Sequence, residues 1–244
     1  MAPRLEMSPR RVRVFFNGIP VVDSNNTQML FGQRPYPLYY FPPETVATDL
    51  LSPSGRTEQS PSRGTATFYD VVVDGDRAAD AAWSYEESPV AGLGGLLSFD
   101  WSSLDVFEED EQVYVHPKDP YSRVDILRSS RHVEVSIDGQ VVADTTRPTI
   151  LFETGLPARY YIPKIDVRMD LMQPSTLHTD CPYKGTASYW SPMVNGTLRE
   201  NLAWEYPVPT HESVKVAGLV SFYNEKVDVT IDGVLQERPR THFA

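Results

Sequence analysis

Cys181 and Lys184 stand three positions apart in the stretch "TDCPYKGTASYW", Thr179 to Trp190, which holds the single cysteine of the 244-residue chain. Pro182 suits position i+1 of a β-turn, and Gly185 permits a left-handed exit, so thiol and ammonium bracket one tight turn. A thiolate beside a cation, with His178 upstream, is electrostatically favoured over the thiol, which is how reactive cysteines are made. The same spacing also suits a small buried thiol and a solvated lysine.

The sequence carries its own control. Shifted by 121 residues, Val12–Tyr85 aligns with Val133–Tyr206 without a gap, with 24 identities in 74 positions. A period this long marks a duplicated domain, since solenoid units run about 20 to 50 residues. Where the second copy has Arg159, Arg168, His178, Cys181, Tyr183 and Lys184, the first has Leu38, Ala47, Thr57, Ser60, Ser62 and Arg63. Reactive groups thus collect in the second copy. There Cys181 would serve as nucleophile or acid/base thiol, with His178 assisting proton transfer, while Lys184 and Arg159 would hold an anionic group. Tyr160 or Tyr206 would orient the substrate, with Tyr161, Tyr183, Arg168 and Trp204 as further binding residues. Tyr160, Tyr161, Trp204 and Tyr206 have counterparts in Tyr39, Tyr40, Trp83 and Tyr85, which equally fits core packing.

The elements that must position these groups are strands. Alternation at Val12, Val14 and Phe16, and at Val133, Val135 and Ile137, is followed by "NG" and "DG", so each copy opens with a hairpin. "DVVVDGD" and "PMVNGT" predict a second hairpin, and "GLVSFYNEKVDVTIDG" a third. Short helical turns are expected only in "PPETVATDLL" and "PKIDVRMDLM". The fold class is mainly β: two tandem, homologous small β-sandwich or β-tent-like domains forming an intramolecular pseudo-dimer, with the whole chain monomeric or homodimeric. The expected organisation is a disordered tail over 1–10, a first domain over 11–115, a linker over 116–130 and a second domain over 131–244. The acidic run Glu108–Glu111 reads as a solvated strand edge.

A formal net charge of −11 opposes phosphate backbones and anionic membranes, so neither nucleic acid nor membrane is an expected partner. No apolar run of membrane-spanning length and no signal-peptide pattern is present, and one cysteine cannot form an internal disulfide, so the expected location is cytoplasmic. The five histidines lack metal-ligand spacing, and phosphate-loop, nucleophile-elbow and dinucleotide motifs are missing. No metal or cofactor is expected. The expected partner is a small-molecule ligand.

From about Arg11 onward, "ETGLPARYYIP", "DVRMDLM", "CPYKGTASYW", "LAWEYP", "AGLVSFY" and "HPKDPYSRVD" resemble the uncharacterised bacterial and fungal proteins grouped as domain of unknown function 427. A label attached to that family likens it to nucleotidyltransferases, but the Gly-Ser followed by paired aspartates that such chemistry uses is not in this sequence. The resemblance implies a compact β-rich domain used in tandem. It implies no reaction. The leading reading is a protein acting on or binding a small anionic or aromatic metabolite in the second copy; the alternatives are a non-catalytic ligand-binding or protein-interaction module with Cys181 structural, and a purely structural pseudo-dimer.

Overall fold

The computed structural model describes residues 2–32 and 36–241; Met1 of the expected tail and residues 242–244 of the expected second domain lie outside them. The chain divides between Asp119 and Pro120 into two compact units, each described by itself.

The units are built alike, from antiparallel strands in three small open sheets. In the first unit Gln28–Phe31 lies between Arg4–Met7 and Leu38–Tyr40. A second sheet runs Glu111–Val113, Asp105–Glu108, Val12–Phe16, Ile19–Ser24, and a third Leu51–Ser60, Gly64–Val73, Asp76–Tyr85, Leu97–Phe99. The second unit repeats the plan: Val124–Arg128, Thr149–Glu153, Arg159–Tyr161; then Gln140–Thr145, Val133–Ile137, Asp228–Ile231, Val234–Leu235. Its third sheet is Met172–Cys181, Gly185–Val194, Ala203–Glu205, Val220–Phe222, with Thr197–Leu198 also on Gly185–Val194. The expected mainly β fold is found, and with it the opening hairpins and the pair around Asp74-Gly75.

Alternation explains the packing. Val12, Val14, Val133 and Val135 are buried on the inner face of their sheets while the intervening residues are partly exposed. Each unit has two apolar clusters, one around Val12, Phe41, Val71 and Phe99 or Val133, Ile162, Val194 and Phe222. The other holds Leu30, Tyr40, Ala66 and Tyr85, or Leu151, Tyr161, Ala187 and Tyr206. Single bridges, Phe41 with Leu97 and Ile162 with Val220, tie the first sheet of each unit to the third. The expected helical turns are 3-10 turns at Pro43–Thr45, Thr48–Leu50, Lys164–Asp166 and Met169–Leu171, joined by a further one at His211–Val216.

Three expectations are corrected. Arg4–Met7 in the supposed tail is a strand, its Leu5 opposite Leu30, because this edge covers the second apolar cluster. The expected linker over 116–130 is largely part of the units themselves: residues up to Asp119 belong to the first unit, and Val124–Arg128 pairs with Thr149–Glu153 and buries Ile126. The "GLVSFYNEKVDVTIDG" segment is not one hairpin. Val220–Phe222 pairs with Ala203–Glu205, then a turn closed by Lys226 N–H donating to the Tyr223 carbonyl (2.8 Å) carries the chain to Asp228–Ile231 in another sheet. The hairpin there is Asp228–Ile231 with Val234–Leu235.

Candidate functional site

In the second unit, strands Met172–Cys181 and Gly185–Val194 meet at the expected turn, where Lys184 N–H donates to the Cys181 carbonyl (3.2 Å) and Gly185 takes φ +95°. Gly185 also passes close to Val208 and Pro209, leaving little room for a side chain. The Cys181 thiol is partly exposed, and it stands near enough to Tyr161 and Tyr206 to add to the effect of burial, which pushes both phenols up. Lys184 does not face open solvent: its ammonium pairs with the Glu153 carboxylate, both side chains about nine-tenths buried. Arg159 is buried and bidentate on Glu225, with both bonds at 2.6 Å, and it also donates to the Asn224 side-chain oxygen. Burial pushes the Glu225 carboxyl up, but hydrogen bonds from Arg159 and Thr241 outweigh it and hold the group below its usual range.

Trp204 donates its indole N–H to the Tyr161 hydroxyl (3.2 Å), and the Tyr223 ring lies against Trp204 with centroids 4.5 Å apart. Tyr223 also stacks on Tyr189, and the Arg159 guanidinium lies 5.6 Å from the Trp204 ring centre and 5.8 Å from that of Tyr223. The structure therefore gathers Arg159, Tyr161, Cys181, Lys184, Trp204 and Tyr206 around one aromatic cluster. It does not bring in the other candidates. His178 is exposed, with its ring nitrogen 3.4 Å from the Ser188 hydroxyl, and Arg168 lies on the surface paired with Asp170. Tyr160 packs on the opposite apolar cluster, and Tyr183 contributes its carbonyl, which accepts from Thr210 and Ser213.

The first unit has the same scaffold with the centre open. Trp83 donates to the Tyr40 hydroxyl (3.1 Å), as Trp204 does to Tyr161, and burial pushes the Tyr40 phenol up to about 12. Beside this pair lies a half-open cleft of about 530 Å³ walled by Tyr36, Phe68, Trp83, Tyr85, Trp101 and His116. Arg63 borders it, 3.3 Å from the Ser60 hydroxyl and with its guanidinium 5.4 Å from the Tyr85 ring centre. Among the described residues Arg63 has no carboxylate partner. Arg56, also lining the cleft, lies over Phe68 at 4.1 Å and pairs with Glu58 and Asp80. His116 stacks on Tyr36 at 3.9 Å and hydrogen-bonds the Pro117 carbonyl, and burial lowers its pKa.

The pattern of the family described as domain of unknown function, DUF427, matches residues 4–110 and again 125–233, one match in each unit. The chain belongs to the DUF427 family. None of the curated proteins matches it. Each DUF427 repeat begins with the edge strand that sequence reasoning placed in a tail or linker.

Two repeats of one family permit a position-by-position comparison of their centres. Leu38 replaces Arg159, Gly32 replaces Glu153, Phe68 replaces Tyr189, and after the strands Leu97–Phe99 and Val220–Phe222 the residues Asp100 and Ser102 replace Tyr223 and Glu225. The cations that mark the second repeat in sequence, Arg159, Arg168 and Lys184, have thus found carboxylate partners in that same repeat. The open cleft lies where the counterparts of Glu153 and Glu225 are missing. Sequence reasoning did not make Trp101 a candidate, and it read Leu38 only as the loss of Arg159 and His116 only as part of the connection, because cleft walls carry no motif.

Proposed function

We propose that this DUF427 protein is a binding module for a small anionic molecule, held in the cleft of the first repeat with its charge on Arg63 and its body against the aromatic walls. One observation carries the reading: Arg63 borders an open cavity without an acid to neutralise it, whereas its counterpart Lys184 is already paired with Glu153. Arg63 is partly exposed and, among the described residues, has no direct carboxylate partner, so it can take up an anion without first breaking an ion pair, as Lys184 would have to. The cleft pairs aromatic walls with a charged rim, Arg56, Glu58, Arg63, Asp80 and Asp100, which suits a polar rather than a purely apolar ligand.

A thermal-shift screen of an anionic metabolite library on the full chain tests this, followed by Arg63→Met and Lys184→Met. A ligand present at about 100 times its Kd stabilises by roughly 2.7 kcal/mol. Stabilisation should vanish in Arg63→Met and persist in Lys184→Met. The reverse result, with ligand protecting Cys181 from iodoacetamide, would move the site to the second repeat and favour the thiol reading, in which Cys181, Lys184 and His178 act on the ligand.

A further inference from the structure

The second repeat contains, in its own side chains, a copy of what the first repeat lacks. Against the Trp204 wall lies the Tyr223 ring, and against Lys184 lies the Glu153 carboxylate. In the first repeat both wall and cation survive, as Trp83 and Arg63, while the ring has become Asp100 and the carboxylate Gly32. Asp100 does not fill the vacated space: its carboxylate turns back onto the hydroxyls of Ser102 and Ser103, 2.5 and 3.0 Å away. Leu38 and Ser102, in place of Arg159 and Glu225, likewise cannot rebuild the buried ion pair that closes the second centre.

From this juxtaposition we infer that the ligand of the first repeat is a planar aromatic monocarboxylate, its ring lying on Trp83 as Tyr223 lies on Trp204 and its carboxylate meeting Arg63 as Glu153 meets Lys184. The inference rests on the cleft reading above and narrows it to one chemical class. Aromatic faces favour a flat ring over a saturated one of equal size, through stacking against Trp83 beside Phe68. A single negative charge fits better than two, because Arg56 is already paired with Glu58 and Asp80, Asp100 also borders the cleft, and Arg63 alone is left to meet an anion. The Arg63 fork matches a carboxylate with two parallel hydrogen bonds.

The test uses the full chain and three probes of nearly equal size: 2-naphthoate, its neutral amide, and the saturated decalin carboxylate. Binding is read by calorimetry and by quenching of tryptophan fluorescence, to which Trp83 and Trp101 of the cleft contribute. Naphthoate should bind once per chain, with amide and saturated acid each at least tenfold weaker. Arg63→Met should weaken naphthoate at least tenfold. Asp100→Tyr, which restores the plug, should abolish binding while leaving the unfolding transition cooperative. If naphthoate binds equally well to Asp100→Tyr, the proposed placement is wrong. If the saturated acid binds as tightly as naphthoate in an Arg63-dependent manner, the aromatic class is overturned while the cleft reading stands; if the neutral amide does, the charge is not what is recognised and both readings fall. If naphthoate does not bind but the library screen yields another Arg63-dependent ligand, the class again falls alone. If neither the probes nor the library bind, both fall.

Discussion

Arg159 shows how a residue that reads in sequence as an anion-holding candidate can be committed in space to a buried ion pair, with Glu225. Their side chains are 8% and 0% exposed, so each depends on the other for charge compensation. Arg159→Ala would strand Glu225, and breaking such a pair typically costs about 3–5 kcal/mol, whereas replacing both by Met should cost far less. Urea unfolding of the single and double variants checks this expectation. The acid limb follows from the same geometry. The folded Glu225 carboxyl is held below its unfolded value of about 4.5, so its contribution is complete above that pH and is lost as pH falls through the folded value. His116 works in the opposite direction. Burial lowers its folded pKa below the usual 6.5, so on acidification the unfolded chain takes up the proton first and stability declines as pH falls through about 6.5. His116→Gln should flatten that part of the stability profile, read from urea midpoints between pH 7.5 and 5.5. At this scale the sequence showed which residues were unusual but not which of them would face one another: Glu153 and Glu225 lie 31 and 66 residues from the cations they neutralise.

Hairpins were the most legible elements, because period-two alternation and Asn-Gly or Asp-Gly turns are local signals. Asn17, Asp74, Asp138 and Asn195 all adopt positive φ before their glycines, as such turns require. Edge strands such as Arg4–Met7 and Val124–Arg128 were not legible, since they alternate weakly and are specified by the apolar cluster they cover. The hairpins that carry Arg63 and Lys184 also depend on a constraint invisible in a single sequence. Gly64 and Gly185 have φ +97° and +95° and pass against the backbone of a distant loop, at Glu87 and at Val208–Pro209 respectively. Gly75 has φ +91° with open space around it. Alanine at all three should be destabilising by at least the roughly 1–2 kcal/mol of a left-handed L residue. The loss should be largest at Gly64, where the new Cβ would fall inside contact distance of the Glu87 carbonyl oxygen, smaller at Gly185 and smallest at Gly75. Thermal unfolding of the three variants gives the order. If the hairpin turns position the cations, Gly64→Ala should also weaken ligand binding to the first repeat, while Gly185→Ala should not.

At the scale of the molecule, duplication lets one scaffold be tried twice. Each repeat keeps the Trp-to-Tyr hydrogen bond and its own paired apolar clusters, and the two differ in whether the space beside that Trp is filled. That division was half legible: the repeat period stood out at once, but its ends did not, because the first and last strands of each unit have the least distinctive residues. The ends now make a sharp expectation about autonomy. Each unit has its own two apolar clusters, so chains of residues 1–119 and 120–244 should each unfold cooperatively when produced alone, and the first should retain any Arg63-dependent ligand. A chain starting at residue 131, the boundary that composition favours, should fare worse than one starting at 120. It lacks the strand Val124–Arg128, which removes buried Ile126 and half-buried Val124 and bares the edge of Thr149–Glu153. Burial of one such apolar side chain is worth about 1.5–3 kcal/mol, and an uncovered strand edge invites association. Urea midpoints and light scattering of the two fragments compare them directly. Equal stability of both would mean that the edge strand belongs to the connection after all and that the second repeat begins at its first hairpin.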